Sequence, residues 1–215
     1  MTATNTSFPP SAVAALEARA ITCVRGDREL FSGLDLQVLP GQCLHIRGEN
    51  GVGKTSLLRL LTGLASPEAG EVLWNGYPIK KDASDYHDQL LFLGHRDALK
   101  EDLSALENLR MYAAIDGVAL SEQDAFASLW RFGLKGREDL PVNCLSAGQK
   151  KRVLMARMVT RRAPVWIFDE PFNALDTHAV LELQGLIAEH LESGGLVVLT
   201  SHQPLAIPGL RVLDL

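Results

Sequence analysis

Gly48-Glu49-Asn50-Gly51-Val52-Gly53-Lys54-Thr55-Ser56 is the stretch whose reading decides the fold. It matches the phosphate-binding loop pattern, Gly-x4-Gly-Lys-Ser/Thr, at every fixed position. Triphosphate oxygens need many donors packed closely, and successive backbone N–H groups of a glycine-rich turn supply them as a concave nest. Gly48, Gly51 and Gly53 permit that turn and a close approach of the backbone. Lys54 is placed to reach the β/γ-phosphates, and the Thr55 hydroxyl to sit on Mg²⁺. Residues 42–47 ahead of the loop alternate like a strand, and residues 56–61 behind it carry a helical apolar stripe. The phosphates would therefore lie at a helix N-terminus, where the dipole favours negative charge. An ordinary glycine turn is the competing explanation, and the strand before and helix after argue against it. The stretch predicts binding of a nucleoside triphosphate with Mg²⁺.

At 215 residues the chain has ample length for a real core, in one domain or two small ones. Its 47% hydrophobic and 22% charged residues are ordinary for a soluble α/β protein. A net charge of −5 argues against a nucleic-acid partner held by bulk electrostatics. No run approaches the ~18 apolar residues that span a bilayer, and no secretory signal is recognisable. Work at a membrane would therefore go through a partner. Cys23, Cys43 and Cys144 are odd in number and far apart, as reduced thiols are. The six histidines lack metal-site spacing, so no metal is expected beyond the Mg²⁺ of the nucleotide.

Along the chain, residues 1–15 lack periodicity and read as a loose tail. Leu16–Val24 predicts a first strand, Gly26-Asp27-Arg28 a hairpin-like turn, and Leu34–Leu39 a second strand closed by Pro40-Gly41. Glu71–Trp74 predicts another strand, ended by Asn75-Gly76, and Leu90–Gly94 a short buried one. Helical patterns then dominate at Ser104–Ala114, Ser121–Phe132 and Ser146–Arg161, the last opening on a serine N-cap. After these, Val165–Phe168 and Leu196–Leu199 are unbroken apolar runs, as strands buried on both faces are, with a helix at His178–Glu192 between them.

Val165–Phe168 ends in two carboxylates, Asp169 and Glu170. Downstream of a phosphate loop, an acidic residue at the end of a buried strand holds Mg²⁺, which assigns Asp169 to the metal with Thr55. Glu170, the next residue, is placed to polarise the attacking water. A simple acidic strand cap is the alternative. Further along, Leu145-Ser146-Ala147-Gly148-Gln149 precedes Lys150-Lys151-Arg152, a run that reads as a solvated helix face.

At LSAGQ the sequence resembles the ABC ATPase family, whose signature is LSGGQ. The resemblance runs from about Leu16 to Asp214 and covers six motifs in order. These are GENGVGKT, a Q-loop region, LSAGQ, WIFDEP, the D-loop stretch Asn173-Ala174-Leu175-Asp176, and the switch histidine of Thr200-Ser201-His202. The implied fold is an α/β P-loop NTPase of ABC type, with a β-rich N-terminal region and an inserted helical subdomain at about residues 96–162. The resemblance also implies a head-to-tail homodimer that sandwiches two ATP molecules. Each ATP would be held by Lys54 and its loop on one chain and by Ser146, Ala147, Gly148 and Gln149 on the other, with Asp176 of the D-loop stretch among the nucleotide-binding residues. His202 would contact the γ-phosphate as part of the catalytic set.

Two positions depart from the family. Arg25 stands where an aromatic usually stacks on adenine, which implies a weaker or less base-selective grip. His95 stands where a catalytic Gln is usual, with a shorter reach and a charge that varies near neutral pH. Leu93-Gly94-His95-Arg96, Leu103–Leu109 and Pro141-Val142-Asn143 resemble the ATP-binding subunits of cytochrome c maturation, the CcmA haem-exporter type. That resemblance implies ATP hydrolysis coupled to haem export or handling. It also implies a CcmB-like integral membrane subunit, at the cytoplasmic face of a bacterial inner membrane. Three rivals are an ABC exporter subunit for another substrate, a DNA-repair or chromosome ATPase, and a P-loop nucleotide kinase. The second needs long coiled coils that 215 residues cannot hold, and the third would lack LSAGQ.

Overall fold

The computed structural model describes residues 15–81, 83–94 and 98–215. In chain order its first elements are β1 (Leu16–Arg25), β2 (Arg28–Val38), β3 (Cys43–Arg47), α1 (Lys54–Leu61), β4 (Ala69–Trp74), β5 (Tyr77–Pro78), α2 (Ala83–Asp88) and β6 (Leu90–Leu93). They are followed by α3 (Ala105–Ile115), α4 (Glu122–Arg131), α5 (Ala147–Thr160), β7 (Val165–Phe168), α6 (Thr177–Glu192), β8 (Leu196–Thr200) and β9 (Leu210–Asp214). An antiparallel sheet has the order β2-β1-β4-β5, and a parallel sheet the order β6-β7-β8-β3-β9.

Alternation along the parallel strands explains their unbroken apolar sequences. On β7, Val165 and Ile167 join the core built on α1, β1 and β4, while Trp166 and Phe168 join the core built on α3 to α6. On β8, Leu196 and Val198 face the first core, Val197 and Leu199 the second. A strand covered on both faces needs apolar residues at every position.

The three helices α3, α4 and α5 pack on one another, and each begins at a serine whose hydroxyl accepts a backbone N–H three residues on. Such caps contribute about 1 kcal/mol each. Arg157 and Arg161 at the end of α5 pair with Asp116, the C-cap of α3. Arg161 also donates to the His87 carbonyl on α2 at 2.7 Å. His87 Nε2 in turn lies 2.9 Å from the Thr62 carbonyl at the end of α1. The helical group is thus wired to the helix that follows the phosphate loop.

Most expected elements fall within about two residues of their sequence-based bounds. The largest difference is β2, which begins at Arg28 rather than Leu34. Its first half has two adjacent half-buried apolar residues, Leu30 and Phe31, between exposed ones, so no apolar alternation announces it, yet Cys23↔Phe31 and Arg25↔Arg28 are paired. Three further elements have no sequence signal of their own. α2 buries only Tyr86, β5 is two residues long, and β9 is a largely exposed edge strand. Of the expected tail, only Ala15 is described, and it is buried with its N–H on the Asn75 side chain at 3.2 Å.

Asp116 is the single carboxylate paired with two largely buried guanidinium groups. Asp116→Ala removes the carboxylate the two share, leaving Arg161 its bond to the His87 carbonyl and Arg157 its contact with the Tyr112 ring, and the expected loss is roughly 3 kcal/mol. Urea unfolding of the variant beside the parent chain measures it, and a loss below 1 kcal/mol would show that solvent already screens the pair.

Candidate nucleotide site

β3 delivers the chain to Gly48, where the backbone turns through φ +148°, +85° and +118° at Gly48, Gly51 and Gly53. Two of these glycines answer to a neighbour. A Cβ on Gly48 would lie 2.9 Å from the Leu215 carbonyl, which follows β9. A Cβ on Gly53 would press at 3.3 Å on Leu30 and the Phe31 ring of β2. Gly53 is also the left-handed N-cap of α1 and makes no side-chain cap, so the first N–H groups of the helix remain available. Lys54 Nζ donates to the carbonyls of Gly48 at 2.7 Å and Glu49 at 3.0 Å, laying its charge across the loop.

Against the loop stands the end of β7. Thr55 Oγ1 donates to Asp169 Oδ2 at 2.8 Å, and Thr200 Oγ1 on β8 donates to Asp169 Oδ1 at 2.8 Å. Thr200 Oγ1 also accepts the Glu170 N–H at 2.9 Å. Glu170 holds φ at +53°, an unfavourable conformation for a residue with a Cβ. Its carboxylate is buried with neither oxygen hydrogen-bonded. His202 Nε2 lies 3.4 Å from Glu170 Oε1, close enough for an ion pair but not aligned for a hydrogen bond. His45 of β3 steadies this end, its Nε2 lying 3.0 Å from the Ser201 carbonyl.

These groups share one cavity of about 530 Å³. Asn50, Gly51, Gly53, Lys54, Thr55 and Ser56 line it from the loop, with Asp169, Glu170, Asn173 and His202 from the sheet and Arg25, Arg28 and Leu30 from the hairpin. Gly48, Glu49 and Val52 shape the loop from behind. Sequence reasoning gave no site role to Arg28, Asn173 or Thr200, although Asn173 and Thr200 each open a motif it singled out. Among the described residues no group of three or more His, Cys, Asp or Glu gathers as a metal site, while Thr55 and Asp169 place hard oxygens side by side.

Other expected residues lie elsewhere. Ser146 N-caps α5 in a capping box: its hydroxyl accepts the Gln149 N–H at 3.2 Å, and the Gln149 side chain accepts the Ser146 N–H at 3.0 Å. Ser146 and Ala147 are exposed, and none of Ser146, Ala147, Gly148 and Gln149 lines the cavity of their own chain. Asp176 N-caps α6, and the Ala179 N–H and the Arg152 guanidinium hold its carboxyl below the usual range. His95 lies outside the described residues.

The basic run after the signature is corrected by the structure. Arg152 is not a solvated residue. It donates to the Phe132 carbonyl at the end of α4 at 3.2 Å, pairs with Asp176 and reaches Glu182 at 3.7 Å. Lys150 pairs with Glu101 at 3.4 Å. Three basic residues in a row carry no mark of a partner 24 positions downstream, so the sequence suggested solvent.

A glycine loop at a helix N-terminus, facing paired carboxylates at the end of a buried parallel strand, defines a nucleotide-binding P-loop ATPase. The chain belongs to the ABC transporter family, whose model matches residues 31–173. Within it the chain belongs with the CcmA proteins. It is 50% identical over 200 residues to the cytochrome c biogenesis ATP-binding export protein CcmA of Dechloromonas aromatica (strain RCB), covering 93% of this chain and 98% of that one. The fold is shared with an ABC transporter ATP-binding protein from Pyrococcus furiosus (TM-score 0.81, 24% identity, 94% of this chain and 97% of the other). It is also shared with a dimeric ATP-binding cassette in a post-hydrolysis state bound to ADP and Pi (TM-score 0.75, 24% identity, 87% and 88%).

Thr200 links both carboxylate residues, so Thr200→Val tests the arrangement at nearly constant volume. It leaves a buried Asp169 oxygen and the Glu170 N–H without a partner, and an expected loss of about 1–3 kcal/mol follows. Chemical denaturation reads the loss, and an unchanged midpoint would mean that another donor replaces the hydroxyl.

Proposed function

We propose that this chain is the ATP-hydrolysing subunit of an ABC exporter that serves cytochrome c assembly, by export or handling of haem. The observation that carries the ATPase reading is the Thr55–Asp169–Thr200 bridge, which sets a buried Glu170 carboxylate with no hydrogen bond of its own beside the phosphate loop. The backbone N–H groups of Gly48–Ser56 bind the phosphates, and Lys54 turns from its loop carbonyls to the β/γ-phosphate oxygens. Thr55 and Asp169 fit Mg²⁺, which takes one or two protein oxygens and completes its shell with phosphates and water. When bound, the ion neutralises charge on the phosphate oxygens.

Glu170 accepts a hydrogen bond from the attacking water and orients its lone pair at the γ-phosphorus. The new bond joins water oxygen to phosphorus while the bond to the β-bridging oxygen breaks. His202 contacts the γ-phosphate, and His95 stands in the family's Q-loop place. Arg25 offers its guanidinium plane to the base. Ser146, Ala147, Gly148 and Gln149 complete the site of a second copy in a head-to-tail homodimer, and the exposure of Ser146 and Ala147 in the single chain supports this. Asp176 orders the neighbouring turn at that contact.

Residues 16–215 form one ATPase domain, and about 96–162 its helical subdomain, a division supported by the mutual packing of α3, α4 and α5. Among the described residues no helix is long and apolar enough to cross a membrane. The chain sits peripherally on the cytoplasmic face of the inner membrane, held by an integral subunit of CcmB type, and no nucleic acid takes part. ATP closes the dimer and hydrolysis reopens it.

Glu170→Gln removes the water-polarising charge and keeps Lys54 and Asp169. Steady-state hydrolysis is expected to fall by roughly 10²–10⁴-fold, with ATP binding retained and an ATP-dependent dimer on size-exclusion chromatography. Near-normal turnover would end the role given to Glu170. In the source organism, Lys54→Ala is expected to abolish covalent haem attachment to c-type cytochromes while b-type cytochromes still fill. Haem-stained gels beside membrane spectra report both. Normal c-type cytochromes would leave an ABC exporter for another substrate.

A further inference from the structure

The β1–β2 hairpin closes on Arg25 and Arg28, which face one another in register across the Gly26-Asp27 turn. Like charges directly opposed on a strand pair oppose folding. Nothing in the hairpin relieves this. Asp27 and Glu29 flank the pair, yet among the described residues no carboxylate lies within ion-pair distance of Arg28. Both arginines are exposed, and both line the cavity that Lys54 and the glycine loop line. Three cations therefore converge on one concave site. The hairpin is not free to swing away, because Leu30 and Phe31, two and three residues after Arg28, pack against Gly53 at the mouth of the loop. A local conflict of charge, fixed in position beside an anion site, marks a functional feature rather than a structural one.

We propose that Arg28 is a nucleotide-binding residue that grips the polyphosphate chain from the hairpin side of the cavity. Arg25 leaves its planar face for the base, and the two guanidiniums divide the ligand between them. A guanidinium fork suits phosphate oxygens and holds them by two parallel N–H bonds, where a lysine offers a point charge. Nucleotide affinity in this chain then depends on phosphate charge more than on base identity. This rests on the ATP-binding reading given above and adds a contact that reading does not contain.

The test is calorimetric binding of ATP and of GTP to the full chain with Mg²⁺, at low and moderate salt. The parent, Arg28→Gln, Arg28→Lys and Lys54→Ala are compared. Arg28→Gln is expected to weaken ATP and GTP alike, by roughly tenfold for one charge-assisted contact, and to flatten the salt dependence. Arg28→Lys is expected to fall between. The thermal midpoint of the nucleotide-free Arg28→Gln chain is expected to hold or rise, since a repulsion has gone; a residue with only a structural role would lower it. Unchanged ATP affinity in Arg28→Gln overturns the proposal, and so does a loss confined to one base or one matched by a lower midpoint. A parent chain that binds no ATP, or a Lys54→Ala chain that binds it normally, would instead overturn the site reading itself.

Discussion

Asp169 accepts one hydrogen bond on each carboxylate oxygen, from Thr55 on one side and Thr200 on the other, and the relative placement of α1, β7 and β8 at the site depends on that pair. A buried carboxylate needs such partners, because an unpaired charge in the interior is expensive. The two bonds fix the first helical turn after the glycine loop against the end of β7. Through Thr200 they also hold the backbone of Glu170 in its left-handed conformation. Strain at one residue is tolerated because its neighbours over-determine it. What the molecule gains is a buried carboxylate with neither oxygen hydrogen-bonded and His202 within ion-pair distance, next to the phosphate loop.

A second set of contacts decides how the helical part can move. Arg152 lies one turn into the signature helix and joins the end of α4, the N-cap of α6 and Glu182. The backbone around Ala174 also touches this helix, since its carbonyl lies 3.2 Å from where a Cβ on Gly148 would stand. The signature and the segment after Glu170 are therefore mechanically joined inside one chain. At the far end of α5, Arg157 and Arg161 tie the same helix to α3 and α2. α5 is thus anchored at both ends, to α4 and α6 near the signature and to α3 and α2 at its far end.

How legible this was in the sequence depended on whether a residue's chemistry is local. The glycine loop, the helical patterns of α3, α4 and α5 with the serine cap of α5, and the apolar runs of β7 and β8 were readable, because each is specified by spacing or by burial on both faces. The placement of Lys54, Thr55, Asp169, Glu170 and His202 around one cavity followed from those elements. The first half of β2 was not readable, since its strand character comes from pairing with β1 and its apolar residues, Leu30 and Phe31, are adjacent rather than alternating. Arg28 was lost with it. Arg152 was misread because its partners come from α4 and α6, which only the folded chain brings to it. The CcmA resemblance rested on short motifs around Gly94 and Pro141, and identity over most of the chain now carries it.

Far from the cavity, His190 stacks on Trp166 with ring centroids 3.8 Å apart and planes within 4° of parallel. A Cβ on Gly195 would run into the same imidazole. Burial lowers the proton affinity of His190, so the ring over the indole is neutral at ordinary pH and becomes a cation only in acid. The other two tryptophans, Trp74 and Trp130, also lie away from the residues that line the nucleotide cavity. No indole therefore touches the nucleotide directly, and Trp166 reports instead on the sheet and on the imidazole stacked over it. An indole placed on the hairpin, where Arg25 and Arg28 stand, would put an emitter on the wall of the cavity itself.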